Sequence, residues 1–141
     1  LFRSMPIGVA DIKRAGNDVT IVSFGKIIKT AYKAAEELAK ENIDVEIIDL
    51  RTVRPIDYAT VIASVKKTNR MVIVEESWPL ANIATEVAFK VQREAFDYLD
   101  APVLRVTGGD VPLPYAPTLI DAYLPNPERI IKAVKKVMYL E

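Results

Sequence analysis

The side chains that could do chemistry in this sequence are carboxylates, amines, guanidiniums, phenols and hydroxyls, because its 141 residues include no histidine and no cysteine. Thiol nucleophiles, Ser-His-Asp triads, imidazole bases and the common zinc sites are therefore excluded. One carboxylate pair, Glu75 and Glu76, stands next to the only tryptophan, Trp78. Such a pair can be split in pKa to act as acid and base, but consecutive side chains usually point in different directions. We favour pairing of these carboxylates with arginines of a neighbouring loop.

Those arginines are Arg51 and Arg54, which follow an apolar run and precede Pro55. Two guanidiniums so close together suit an anion site or a bidentate carboxylate clamp. The alternative is a salt bridge to another domain or subunit, and we favour that alternative.

The least generic segment is 107–115, TGGDVPLPY, which contains Asp110 and Tyr115. Its two glycines permit unusual backbone angles, and the alternating prolines stiffen the residues after them. The segment suits either the lining of a pocket or a rigid contact surface. The segment 23–26, SFGK, is a poor phosphate cradle, since it matches neither the Walker pattern nor the dinucleotide fingerprint.

These segments follow strands in a predicted alternation of strands and helices. Apolar, β-branched runs predict strands at 19–24, 45–50, 71–75 and 103–107. Helical periodicity predicts helices at 26–41 and 80–95. It also predicts a helix that Asp57 caps and a last helix from Pro127 onward. The segment 8–16 alternates as a half-exposed strand does, and too few residues follow it for a parallel crossover. The segment 102–127, which holds six of the nine prolines, is predicted to be an ordered, extended loop.

This alternation predicts an α/β fold of three layers, α/β/α, around a mainly parallel five-stranded sheet with one antiparallel edge strand. Ligands of such sheets bind beyond the carboxyl ends of the strands. The 19 basic and 19 acidic residues balance, which argues against nucleic-acid binding. No apolar run approaches the roughly 18 residues of a membrane span. Residues 1–7 are predicted to be the remnant of an interdomain linker, and 8–141 to form one domain.

Four segments carry a family resemblance: DLRTVRPID at 49–57, VEESWP at 74–79, FDYLDAP at 96–102 and RVTGGDVPLPY at 105–115. Together they closely resemble the C-terminal, transketolase-like domain of pyruvate dehydrogenase beta subunits, within the thiamin-dependent 2-oxoacid dehydrogenase family. Branched-chain 2-oxoacid and acetoin dehydrogenase beta subunits share the fold and the Leu-Arg-Thr segment. A free-standing flavodoxin-like binding module is the alternative from another class.

The resemblance implies a parent oxidoreductase that decarboxylates pyruvate and reductively acetylates lipoamide, in the bacterial cytoplasm or the mitochondrial matrix. That enzyme is an alpha-two beta-two assembly, so the implied partners are an alpha subunit and a second beta subunit. It uses thiamin diphosphate and magnesium, which the family holds outside this domain. By the same resemblance, the fragment has no catalytic residue, binds no cofactor and is inactive by itself.

Docking of the dihydrolipoyl acetyltransferase is the family function carried over to particular residues. In the family, the aspartate of the Leu-Asp-Ala-Pro stretch and the chain's carboxy terminus receive basic side chains of the acetyltransferase's subunit-binding domain. The corresponding residues here are Asp100, Tyr139 and Leu140. The alternative role of Asp100 is to cap the turn into the following strand. Interface positions are also expected from the motifs: Arg51, Arg54, Glu75, Glu76, Trp78, Asp110 and Tyr115.

Overall fold

A computed structural model of the chain describes residues 4–140. The first three residues of the predicted linker and the terminal Glu141 lie outside the described residues. The strands are β1 (Asp11–Arg14), β2 (Val19–Ser23), β3 (Val45–Asp49), β4 (Met71–Val74) and β5 (Leu104–Val106). The helices are α1 (Ile28–Lys40), α2 (Tyr58–Thr68), α3 (Ile83–Ala95), α4 (Pro117–Tyr123) and α5 (Pro127–Val137).

The five strands form one sheet in the order β1-β3-β2-β4-β5. Strand β1 runs antiparallel to β3, with Asp11 opposite Asp49, and the other neighbouring pairs are parallel. This confirms the predicted fold class. The carboxyl ends of the four parallel strands lie at the same end of the sheet, which we call the carboxyl edge. The opposite end, where these four strands begin, is called the amino edge.

Helices cover both faces of the sheet because alternate strand residues point to opposite sides. Ile21 and Ile47 face α1 and α5, and Val22 and Ile48 face α2 and α3; all four are fully buried. All five residues of β2 are buried, as expected of a central parallel strand. None of the helices within residues 4–140 is long and apolar enough to cross a membrane.

Side-chain caps set where three helices begin. Asp57 accepts a hydrogen bond from the backbone N–H of Thr60 at the start of α2, as predicted. Asn126 does the same for Arg129 before Pro127 in α5. Helix α3 begins at Ile83, three residues later than predicted, because Asn82 is its cap and the preceding residues form turns.

The prediction that 102–127 is an extended loop was wrong in part, since α4 lies within it. Pro117 fits the first turn of α4, where its missing N–H costs nothing. Tyr123 is buried, and Gly109 N–H donates to its carbonyl at 3.1 Å. Helix α4 therefore ends packed against the loop that follows β5.

Candidate functional site

Arg51, at the carboxyl edge, has its partner inside the domain. Its Nη2 lies 2.5 Å from Asp11 Oδ2, and Lys13 Nζ lies 2.6 Å from the same oxygen. The Lys13 ammonium and, after it, Arg51 hold the pKa of Asp11 below its ordinary value against the opposing effect of burial. Arg54 is exposed and forms no salt bridge with the part of the chain that the structure describes. A salt bridge to another domain or subunit stays a prediction for Arg54.

The predicted pairing of Glu75 with these arginines was wrong. Strand β2 lies between β3 and β4, so the loops after β3 and β4 are about 10 Å apart. Glu75 is 1% exposed, and its Oε1 accepts a hydrogen bond of 3.1 Å from Ala84 N–H in the first turn of α3. Its Oε2 is buried without a hydrogen-bond partner among the described residues. Burial raises the pKa of the Glu75 carboxyl in spite of the Ala84 hydrogen bond.

Glu76 points away from Glu75. It is exposed and lines a shallow cavity of 360 Å³ together with Lys26, Lys29 and Asp121. The two adjacent carboxylates therefore do not converge on one point, and the arrangement of an acid beside a base is not formed.

The loops after β4 and β5 are joined at the carboxyl edge. Trp78 Nε1 donates to Val111 O at 2.9 Å, and Gly108 N–H donates to Ser77 O at 3.0 Å. A side chain at Gly108 would place its Cβ 2.5 Å from the carbonyl oxygen of Glu76, so only glycine permits this close approach. Large apolar side chains nevertheless stay exposed on these loops and on α4. We call them the carboxyl-edge apolar patch: Trp78, Leu80, Val111, Leu113, Tyr115 and Leu119.

An apolar notch of 290 Å³ lies within this patch. Its lining is almost wholly apolar and includes Val111, Pro112, Pro114 and Leu119. Asp110, beside it, is exposed. The segment 107–115 therefore lines a small pocket, and its role as a rigid contact surface stays a prediction.

The three residues that the resemblance assigned to docking lie together at the amino edge. Tyr139 Oη donates to the Asp100 carbonyl at 2.9 Å, and Leu140 follows directly. The Asp100 side chain is 52% exposed, and its Oδ2 lies 3.0 Å from Arg70 Nη2. We call these three residues, together with the apolar grooves on either side of Ala101, the docking surface, after the role that the resemblance implies for them.

These two grooves flank both Ala101 and Pro102. One has a volume of 350 Å³ and includes Phe96 and Leu99, and the other has 230 Å³ and includes Tyr139. Phe96 is 66% exposed. The sequence did not single out Phe96 or Arg70 as neighbours of Asp100. Phe96 belongs to the same FDYLDAP motif as Asp100, which was the one indication of its position.

The side chains of the described residues do not by themselves supply the ligands of a metal site. Between residues 4 and 140, no group of three or more Asp, Glu, His or Cys side chains is placed to hold a metal.

Comparison with known proteins agrees with this architecture. The sequence matches the family described as "Transketolase, C-terminal domain" over residues 8–130. It is 56% identical over 135 residues to "Pyruvate dehydrogenase E1 component subunit beta" of Rhizobium meliloti, covering 96% of this chain and 29% of that protein. The protein of the same name from Rickettsia felis is 53% identical over 135 residues, with 96% and 41% covered. "Pyruvate dehydrogenase E1 component subunit beta-1, mitochondrial" of Arabidopsis thaliana is 51% identical, with 96% and 37% covered.

Among solved structures, "Split gene transketolase, inactive beta4 tetramer" superimposes with a TM-score of 0.84 at 27% identity, covering 99% of this chain and 44% of that one. A 2-oxoglutarate:ferredoxin oxidoreductase from Magnetococcus marinus superimposes with a TM-score of 0.59 at 17% identity, covering 92% of this chain and 19% of that one, and shows the fold alone. The chain spans 29% to 41% of the length of the three pyruvate dehydrogenase relatives. The family match over residues 8–130 establishes that the chain belongs to the transketolase C-terminal domain family.

Proposed function

We propose that this chain is the C-terminal domain of the beta subunit of a pyruvate dehydrogenase. The observation that carries the proposal is the identity of 51% to 56% with pyruvate dehydrogenase beta subunits along nearly the whole chain. The domain contributes interfaces and a docking surface, and other parts of the enzyme contribute the chemistry. Residues 1–7 form part of the connection to the preceding domain.

In this proposal the parent enzyme decarboxylates pyruvate and transfers the acetyl group to lipoamide. Thiamin diphosphate supplies the electron sink for the decarboxylation, and it is bound with magnesium outside this domain. The subunit assembles with an alpha subunit and a second beta subunit. Relatives from bacteria and from mitochondria support a bacterial cytoplasmic or mitochondrial matrix location.

The function is tested with the full-length subunit produced together with its alpha subunit. We expect reduction of lipoamide that depends on pyruvate, thiamin diphosphate and magnesium, and no turnover by residues 1–141 alone. Branched-chain 2-oxoacids and acetoin serve as competing substrates. A kcat/KM higher for either of them than for pyruvate contradicts the proposed substrate.

We further propose that the docking surface receives the subunit-binding domain of the acetyltransferase. Asp100 supports this because its side chain is 52% exposed although Arg70 Nη2 lies 3.0 Å from its Oδ2, and the exposed part of the carboxylate can accept from a basic side chain. Tyr139 fixes the Asp100 backbone, and the apolar grooves beside it offer area that a partner can bury. Charge at such a site sets orientation and association rate as well as affinity.

Titration of the assembled enzyme with the subunit-binding domain tests this proposal. We expect Asp100→Asn to weaken binding about tenfold at moderate salt, equivalent to about 1.4 kcal/mol, and the loss to shrink as salt rises. Asp97→Asn removes the same charge from an exposed residue outside the grooves and is the matched control. Equal affinities of the Asp100 and Asp97 variants would remove Asp100 from the site.

A further inference from the structure

The carboxyl-edge apolar patch consists of six exposed apolar side chains on the loops after β4 and β5 and on α4. Tyr115 is 99% exposed, and Leu80, Leu113 and Leu119 are each more than half exposed. Exposed apolar side chains grouped in this way are typical of a surface that contacts another protein, a membrane or a ligand. The patch is also stiff, because prolines alternate along it and Trp78 is hydrogen-bonded to the Val111 carbonyl. A stiff surface loses little conformational entropy when it is covered.

The first described residues of the chain lie at this same edge. Gly8 N–H donates to Thr52 Oγ1 at 3.1 Å, and Ala10 N–H donates to Asp57 Oδ2 at 3.0 Å. Both acceptors belong to the loop after β3. Because β1 runs antiparallel to β3, the chain reaches the domain where β3 ends. Its position there is fixed by two hydrogen bonds.

A domain that folds next to that point is large enough to reach the apolar patch. Three strand spacings of about 4.8 Å separate the end of β3 from the end of β5, roughly 14 Å in all. A domain of about 150 residues has a radius of gyration of about 15 Å, so it is wider than this gap. In the three pyruvate dehydrogenase relatives, more than half of the length lies outside the matched region.

We propose that the carboxyl-edge apolar patch packs against the part of the same subunit that precedes residue 8, an inference that rests on the proposed function. That part presents an apolar surface with at least one side chain in the notch between Val111 and Leu119. It also presents a carboxylate to Arg54, the exposed guanidinium on the loop beside the point where the chain arrives.

Photo-crosslinking in the assembled full-length enzyme tests this packing. p-Benzoylphenylalanine is placed at position 113 or 115 in the patch, and at position 89, an exposed phenylalanine of α3, as the control. We expect positions 113 and 115 to form adducts within the subunit, so that its mass on a denaturing gel is unchanged. Peptide mapping should place the other end of each adduct before residue 8, and position 89 should form no adduct with that region.

A substitution gives the quantitative arm of the test. We expect Leu113→Glu to lower the yield of the position-115 adduct at least fivefold, and Phe89→Glu to leave it unchanged. Adducts from positions 113 and 115 to the alpha subunit, to a second beta subunit or to the acetyltransferase overturn the proposal, as does the absence of any adduct from both positions.

The result is independent of the proposed activity. Intrachain adducts in an enzyme that does not turn over pyruvate would refute the function and leave the packing intact. Interchain adducts in an enzyme that does turn over pyruvate would refute only the packing.

Discussion

At the scale of single residues, Glu75 is unusual because its carboxyl group is almost wholly buried. Strand β4 carries it into the core beneath the first turn of α3, where one carboxylate oxygen accepts from Ala84 N–H. The other oxygen is buried without a partner among the described residues. A buried polar atom without a hydrogen bond is costly, and the cost is greater for a charged group. Protonation reduces this cost, which is the physical reason that the pKa of Glu75 is raised.

The raised pKa predicts a pH dependence of stability. The folded chain holds the Glu75 proton more tightly than the unfolded chain, so binding of this proton stabilises the fold. The stabilisation is complete below the ordinary glutamate pKa. It is lost as pH rises through the raised pKa of the folded state. We expect the free energy of unfolding to fall across that window by up to about 1.4 kcal/mol per pH unit. Urea unfolding over a pH series measures it.

Two variants identify the group responsible. Glu75→Gln stays neutral at every pH and should remove this fall. Glu76→Gln changes the exposed neighbour and should retain it. If the Glu75 variant shows the same pH dependence as the unsubstituted chain, another group causes it.

At the scale of elements, Asp57 stabilises more than one segment. Its side chain caps α2 through Thr60 and also accepts from Ala10 N–H, which joins the segment before β1 to the start of α2. Burial acts to raise the pKa of Asp57, but the hydrogen bonds from Ala10 and Thr60 outweigh it and the pKa lies below its ordinary value. Among the described residues, the side chain of Asn126, at the start of α5, accepts a hydrogen bond only from the local Arg129 N–H.

This difference predicts unequal costs for two cap substitutions. Asn126→Ala should lower the free energy of unfolding by about 1 kcal/mol, as ordinary caps do. Asp57→Ala should cost about 2 kcal/mol, because it also leaves the Ala10 N–H without its acceptor. Chemical unfolding of the two variants near neutral pH measures both values. Equal losses would mean that the hydrogen bond to Ala10 adds nothing to stability.

Local patterns predict some elements of this fold and not others. Strands β2 to β5 and helix α2 follow from apolar runs and a cap, because local sequence and tertiary packing favour the same conformation. Helix α4 does not, since its cap residue, Ala116, offers no side-chain acceptor and the surrounding prolines suggest an extended segment. Its burial of Tyr123 depends on packing against the loop after β5, which a local pattern does not show.

At the scale of the whole molecule, the domain has one proposed interaction surface at each end of its sheet. The carboxyl-edge apolar patch follows β4 and β5, and the docking surface lies before β5 and after α5. The sequence motifs marked residues at both ends. The motifs do not show which loops meet. Strand β2 lies between β3 and β4 and separates the loops that follow them, and this order of strands is not contained in a local motif. No local sequence pattern predicts that Asp100 and Tyr139 lie together; only the family resemblance implied it.

Helix α3 spans the distance between these two ends. It begins just after the loop that carries Trp78 and ends just before Phe96, and its 13 residues extend about 20 Å. Substitutions more than about 10 Å apart without shared contacts change free energies additively. If both proposed interfaces form, mutation can retune the affinity for a docked partner without altering how the subunit packs internally, and the two interfaces can then diverge separately in evolution.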